Sequence, residues 1–380
     1  MTQLSIAGGS VDIAINGGLI ESVGVAIAGT GAAATLDASG CTVLAGFIDV
    51  QVNGAVGVDL STEPERVGEV AAFLPSCGVT SFMPTVISST PSGTAGAIGV
   101  LHGWRKNAPT NGARSLGVHL EGPFMNPARA GAHPPDNIRP PSRTEVATWG
   151  GETGVAMVTI APELPGALDV IGDLVGRGVA VCAGHTDADA AAIGTAVDAG
   201  LTGATHLFNA MGPMTARRPG PAGAVLDRTD LIAGLIVDGI HADPAMVRLA
   251  WRVLGPRQIA LVTDSMSALG LPFGTFVIGE TPVNVGDDGA RTADGTLAGS
   301  VLRFDQGVRN LLEFTGCTIE DASTSASETP ARLARRTDIG VLAAGQLADV
   351  VLLDIDRRVV ATVVGGTVVF DPEERLTWRS

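Results

Sequence analysis

Residues 179–189 read Val179-Ala-Val-Cys-Ala-Gly-His185-Thr-Asp-Ala-Asp189; an alanine-rich stretch follows to Gly200, and then Gly203-Ala-Thr-His206. The apolar run Val179 to Ala183 has the length of a buried strand, and Thr186 to Asp189 supply the side-chain oxygens that cap a helix N-terminus. The helix then runs through the alanines and ends near Gly200, before a second strand opens at Gly203. Strand, helix and strand at this spacing form a βαβ unit, which lays its two strands side by side and parallel. Each strand of the unit finishes at a histidine.

The same alternation extends in both directions. Strand-like apolar runs occupy residues 43–52, 80–83, 115–120, 155–160, 179–183, 203–206, 231–237 and 259–263. Helix-length segments separate most of them, and Asp243-Pro244 opens the one that runs through Trp251. Eight such strands predict an α/β fold, a (β/α)8 TIM-like barrel whose active site lies at the C-terminal ends of the strands. The chain ends are different. Ser5 to Ile15 and Leu19 to Ile27 flank Asn16-Gly17-Gly18 as a hairpin, and Asp349 to Asp354, Val359 to Val364 and Thr367 to Phe370 are again strand-like, with a turn at Gly365-Gly366. They predict one small discontinuous β-sandwich domain built from both chain ends, residues 1–45 and 345–380, around a barrel of residues 46–344.

Composition narrows the function. A chain of 380 residues with 45% hydrophobic content can fill one large core. Its formal net charge of −15 argues against nucleic acid as a partner, because phosphate backbones demand clustered Lys and Arg. The four cysteines, Cys41, Cys77, Cys182 and Cys317, form no CxxC pair and suit reduced thiols. The first residues lack a basic segment followed by an apolar run, and no stretch reaches membrane-spanning length. A cytoplasmic protein without a membrane partner is expected.

Polar residues gather where the barrel strands end: Asp49 to Asn53 on the first, His119 and Glu121 on the third, His185 on the fifth, His206 on the sixth, Asp238 to His241 on the seventh and Asp264 on the eighth. The chain has only six histidines. Histidine and carboxylate ligands from successive strand ends are how a barrel holds a hydrolytic divalent metal.

The motifs Gly46-Phe-Ile-Asp49, His119-Leu-Glu-Gly-Pro-Phe124, Ala183-Gly-His-Thr186, Thr205-His-Leu-Phe-Asn-Ala-Met211, Asp238-Gly-Ile-His241, Val262-Thr-Asp264 and Asp294-Gly-Thr-Leu-Ala-Gly-Ser300, in this order, resemble the N-acetylglucosamine-6-phosphate deacetylase family of the amidohydrolase superfamily. The resemblance covers essentially the whole chain. It implies that Glu121, His185 and His206 bind the catalytic metal, that Asp264 is the acid/base and that His133 contacts the substrate's acetamido group. It further implies that Asn209, Ala210, Arg217 and His241 surround the sugar phosphate, with Arg218 the alternative to Arg217. Ala132, the turn Asp238, Gly239, Ile240 and His241, and the segment Leu297, Ala298 and Gly299 are expected to line the sugar. The implied reaction is hydrolysis of the acetamide of N-acetyl-D-glucosamine 6-phosphate, by a homodimer in which some phosphate contacts come from the partner subunit.

The chemistry is sensible from below. An amide is a poor electrophile and water a poor nucleophile, so hydrolysis gains from a metal that acidifies water and polarises the carbonyl. A carboxylate beside the metal can carry the proton from water to the departing amine, and His133 can donate to the developing oxyanion. Many amidohydrolases bind a second metal through His-x-His on the first strand; here that position reads Gln51-Val52-Asn53. Amides are weak ligands beside imidazole, so Gln51 and Asn53 are read as a second-metal remnant. One divalent metal per subunit is expected, zinc in the first place, with iron(II) or another divalent ion also compatible. His119 is then a supporting residue, although its side chain shares a strand face with Glu121. His102 is read as a surface residue. Two rival functions stand beside this one: an amidohydrolase acting on another N-acyl or cyclic amide, and a sugar-phosphate binding protein without catalysis.

Overall fold

The computed structural model describes residues 3–24 and 32–378; the last part of the expected strand Leu19 to Ile27 lies outside them. The eight barrel strands are Phe47–Val52, Val79–Ile87, the interrupted pair Arg114–Ser115 and Val118–Glu121, Val155–Ile160, Ala180–Ala183, Gly203–Ala204, Ile232–Leu235 and Ile259–Leu261. Every sequential pairing among them is parallel. The circle closes where the first strand meets the chain beyond the eighth: Val52 bridges Ser265 in parallel, and the Ser265 carbonyl accepts from the Asn53 and Gly54 amides at 2.8 and 3.1 Å. The protein is therefore an α/β (β/α)8 barrel.

The run 43–52, which reads as one strand, is two. Thr42–Ala45 pairs antiparallel with Val350–Leu353 in an outer sheet, and Phe47–Val52 enters the barrel. Gly46 makes the crossing possible, since a Cβ there would stand 2.3 Å from the Thr80 side chain, far inside van der Waals contact. The outer sheet has four strands, ordered Thr367–Phe370, Val359–Val364, Val350–Leu353, Thr42–Ala45. A five-stranded sheet carries Leu376–Trp378, Ala34–Asp37, Leu4–Ala7, Asp12–Asn16 and Leu19–Gly24 in that order. Ile6, Ile13, Ile20 and Leu36 from one sheet meet Val43, Val350, Leu352 and Val363 from the other in a single apolar cluster, so both chain ends build one small β-sandwich.

Helix starts follow the expected caps. Asp189 accepts from the Ala192 amide at 2.9 Å to open Ala190–Asp198, and Asp243 accepts from Ala245 at 2.7 Å to open Pro244–Leu254; such caps contribute about 1 kcal/mol each. His102 is half-buried against Gly154, because the helix carrying it packs over the turn that leads into the fourth strand. An antiparallel sheet of Gly274–Ile278, Thr281–Gly286 and Gly289–Arg291 follows the eighth strand and was not anticipated. Among the described residues no helix is long and apolar enough to cross a membrane.

Barrel and sandwich are joined by a forked ion pair. Arg114 donates to both Asp349 oxygens at 2.7 and 3.2 Å, and the Gly365 amide adds a third donor at 2.8 Å. Replacing Arg114 by Met strands a buried carboxylate. We expect a loss of about 3 kcal/mol, the low end for a broken buried pair because Arg114 keeps some solvent contact, measured by denaturant unfolding; part of it returns when Asp349→Asn is added.

Candidate metal centre and surrounding cavity

Three ligand-type atoms converge at the mouth of the barrel. Glu121 ends the third strand, whose alternation turns Leu120 outward to the helices and Glu121 inward. Its Oε1 lies 3.0 Å from His185 Nε2 and 2.9 Å from His206 Nε2, and the two nitrogens are 3.1 Å apart. Ligands around a tetrahedral metal at about 2.0–2.1 Å stand roughly 3.3 Å from one another, so this triangle is nearly that of three metal ligands. All three residues are buried. His185 donates from Nδ1 to the Arg129 carbonyl at 2.8 Å, which leaves the Nε2 lone pair facing Glu121. Burial alone would push the Glu121 carboxyl up, but the close approach of the His185 and His206 rings holds it well below the usual carboxylate range. An ionised, buried carboxylate facing two imidazole nitrogens suits a divalent cation, and this set fits one.

The remaining groups around this point have distinct tasks. Asp264 Oδ1 accepts from Gln51 Nε2 at 3.0 Å and Asn53 Nδ2 at 2.7 Å, and Gln51 Nε2 also reaches Glu121 Oε2 at 3.1 Å. The two amides thus aim N–H donors into the space where a second cation would need oxygen or imidazole lone pairs. Burial, and then the Glu121 charge, push Asp264 up to about 7. His133 Nδ1 accepts from the Ser88 backbone amide at 3.1 Å, which places the ring proton on Nε2, 3.9 Å from Glu121 Oε1. Burial, and then neighbouring His185, pull His133 down to about 3, so it is a neutral hydrogen-bond donor. His119 turns elsewhere, to the Val50 carbonyl at 3.1 Å and Thr159 Oγ1 at 2.8 Å, and burial pulls it down to about 4.

These groups open into a cavity of about 450 Å3, also lined by Arg129, Ala132, Phe208, Asn209, Ala210, His241, Ile278, Arg291, Thr296, Leu297 and Gly299. His185, His206, Phe208, Ala210 and Asp264, all on its wall, are five of the nine non-glycine residues with positive φ among the described residues. Strained backbone is concentrated here because side chains must be aimed inward from tight turns. Asp238 stands behind the wall and holds His241 Nδ1 at 2.6 Å, while its turn leaves Gly239 and Ile240 exposed. Ala298 is buried beneath the cavity floor. Arg217 and Arg218 line a neighbouring cavity of about 780 Å3, and Arg129 is the one residue common to both. Arg129, Arg291 and Thr296 were not anticipated as site residues; Arg291 arrives with the three-stranded sheet and Thr296 with the turn that follows it.

A ligand set of this kind at the strand ends of a (β/α)8 barrel defines a metal-dependent hydrolase. Residues 42–369 match the amidohydrolase family. The chain belongs to that family, and within it to the family of N-acetylglucosamine-6-phosphate deacetylases. It is 40% identical to the N-acetylglucosamine-6-phosphate deacetylase of Bos taurus, over 89% of this chain and 86% of that one. With the Bacillus subtilis enzyme the identity is 36%, over 87% and 85%. The fold is similar to that of an aspartate-to-alanine mutant of the Mycobacterium smegmatis deacetylase in complex with N-acetyl-D-glucosamine-6-phosphate, with a TM-score of 0.88, 32% identity and coverage of 97% and 99%.

The ligand triangle predicts a contrast that metal analysis after dialysis against a weak chelator can read. His206→Ala should weaken metal retention by more than the roughly 10- to 100-fold typical of losing a supporting residue, whereas His119→Gln should keep most of its metal.

Proposed function

We propose that this chain hydrolyses the acetamide of N-acetyl-D-glucosamine 6-phosphate to D-glucosamine 6-phosphate and acetate, as part of amino-sugar metabolism. The convergence of Glu121, His185 and His206 beside Asp264 and His133 carries the reading. A divalent cation held by the three ligands would supply Lewis-acid polarisation of the amide carbonyl and bring the pKa of water to about 7. We assign a single cation, zinc first, because the Gln51 and Asn53 amides turn donors toward the second position.

Asp264 takes a proton from the attacking water as its oxygen bonds to the carbonyl carbon. The Gln51 and Asn53 N–H groups favour the ionised carboxylate that this requires. His133 Nε2–H donates to the oxygen on which negative charge develops, and the Ser88 amide keeps that proton on Nε2. Asp264 then returns the proton to the amine nitrogen as the C–N bond breaks, a role generally worth about 10²–10⁴ in rate. The sugar lies along Ala132, Leu297 and Gly299, and its phosphate is met by Asn209, Ala210 and His241. Arg217 lies outside its own chain's cavity, a position that favours a homodimer in which its loop serves a second copy. Four unpaired cysteines accord with a cytoplasmic setting.

Acetate release is the assay. The phosphorylated sugar should be turned over with a kcat/KM at least about 100-fold above that of N-acetylglucosamine, the scale of one or two charge-assisted hydrogen bonds, and Arg217→Ala should narrow that ratio through KM; equal rates on both sugars would overturn the substrate assignment. Asp264→Asn should lower kcat by about 10³ or more while KM stays within a few-fold, and retained turnover would remove its proton-carrying role.

A further inference from the structure

The Asp49 carboxylate, in Gly46-Phe-Ile-Asp49, is fully buried and lies two residues before Gln51 on the first barrel strand. Oδ2 accepts from the Thr263 hydroxyl at 2.5 Å, and Oδ1 accepts from the Thr263 amide at 3.3 Å and the Gln51 amide at 3.2 Å. No cation is among its partners, and burial pushes it up to about 7. A buried carboxyl held only by hydroxyl and amide dipoles destabilises a fold relative to an apolar side chain of its size. Its three donors come from the two segments that shape the proton carrier: Thr263 immediately precedes Asp264, and Gln51 supplies an amide on Asp264 Oδ1.

Asp264 needs such support, since its φ of 51° is in the left-handed region, disfavoured for a residue with a Cβ. The turn is fixed on both sides. Thr263 Oγ1 accepts from the Ser265 amide at 3.2 Å while donating to Asp49, so one hydroxyl spans the strained residue. The Thr263 carbonyl accepts from Ser300 Oγ at 2.5 Å, and the Asp264 carbonyl accepts from the Ser300 amide at 2.8 Å. Removing the hydroxyl therefore unties the flank of Asp264 without touching the cavity wall.

We infer that Asp49 and Thr263 form a positioning clamp: the buried Asp49 carboxylate, through the Thr263 hydroxyl and the Gln51 amide, holds Asp264 and its amide donors in register for proton transfer. The clamp rests on the reading of Asp264 as the proton carrier. It acts on the chemical step rather than on sugar contacts, because neither Asp49 nor Thr263 lines the cavity.

The test uses the full metal-loaded chain, N-acetyl-D-glucosamine 6-phosphate and the variants Thr263→Val, Thr263→Ser and Asp49→Asn, with metal content measured on each. Thr263→Val should lose at least about tenfold in kcat, as expected when a reacting group is displaced by a fraction of an ångström, with KM within about threefold and metal retained. Thr263→Ser keeps the hydroxyl and should stay within about threefold of the parent kcat. Asp49→Asn should follow Thr263→Val, and the Thr263 pair decides the matter if that variant does not fold. Full kcat in Thr263→Val, an equal loss in Thr263→Ser, or a fall in kcat that tracks loss of metal would each overturn the clamp. Should Asp264→Asn be fully active, the proton-carrier reading falls first; should it be inactive while Thr263→Val is unimpaired, the clamp alone falls.

Discussion

A buried carboxylate drawn toward two imidazole nitrogens is the constraint on which the site depends. Glu121, His185 and His206 come from three different strands, the third, fifth and sixth, and their atoms meet only because the barrel closes with its strand ends level. That closure runs through the join of the first strand to the chain beyond the eighth, where the Asn53 and Gly54 amides both donate to the Ser265 carbonyl. The joint and the catalytic wall share Asn53 and are adjacent at Ser265, which follows Asp264. Hence the charged groups within the barrel mouth are tied to backbone amides, hydroxyls and one another, and strained φ values collect around the cavity.

Asp264 shows how the surroundings set chemistry. Burial and Glu121 raise it; His206, His241 and the Asn53 amide oppose that rise. A general base that must release its proton later benefits from such a balance. His133 is governed in the opposite direction, since loss of solvent keeps it neutral and its ring proton points into the cavity. One group is poised to exchange a proton and the other to hold one.

Much of this was legible in the sequence because it is periodic or local. Short apolar runs, helix caps such as Asp189 and Asp243, and polar residues at strand ends are written within a few residues of each other. The break at Gly46 was not legible, because its reason is the side chain of Thr80, distant in sequence and adjacent in space. The three-stranded sheet at 274–291 was missed although Asp288-Gly289 is a hairpin signal; its first strand is largely solvent-facing and lacks the apolar run of a barrel strand. With it went Arg291, whereas Thr296 stands beyond the sheet, beside the expected sugar-lining residues Leu297 to Gly299. For Arg217 the motif is local but its cavity is not: the loop it sits on leaves the pocket that the adjacent Asn209 and Ala210 line.

The central claim is that one cation, held by Glu121, His185 and His206, makes the site competent. Titration of the metal-free protein with zinc, followed by acetate release from N-acetyl-D-glucosamine 6-phosphate, tests it directly. Activity should be absent without metal, rise in proportion to added zinc and stop rising at one equivalent per chain; activity in the metal-free protein, or a rise that continues to two equivalents, would contradict the account.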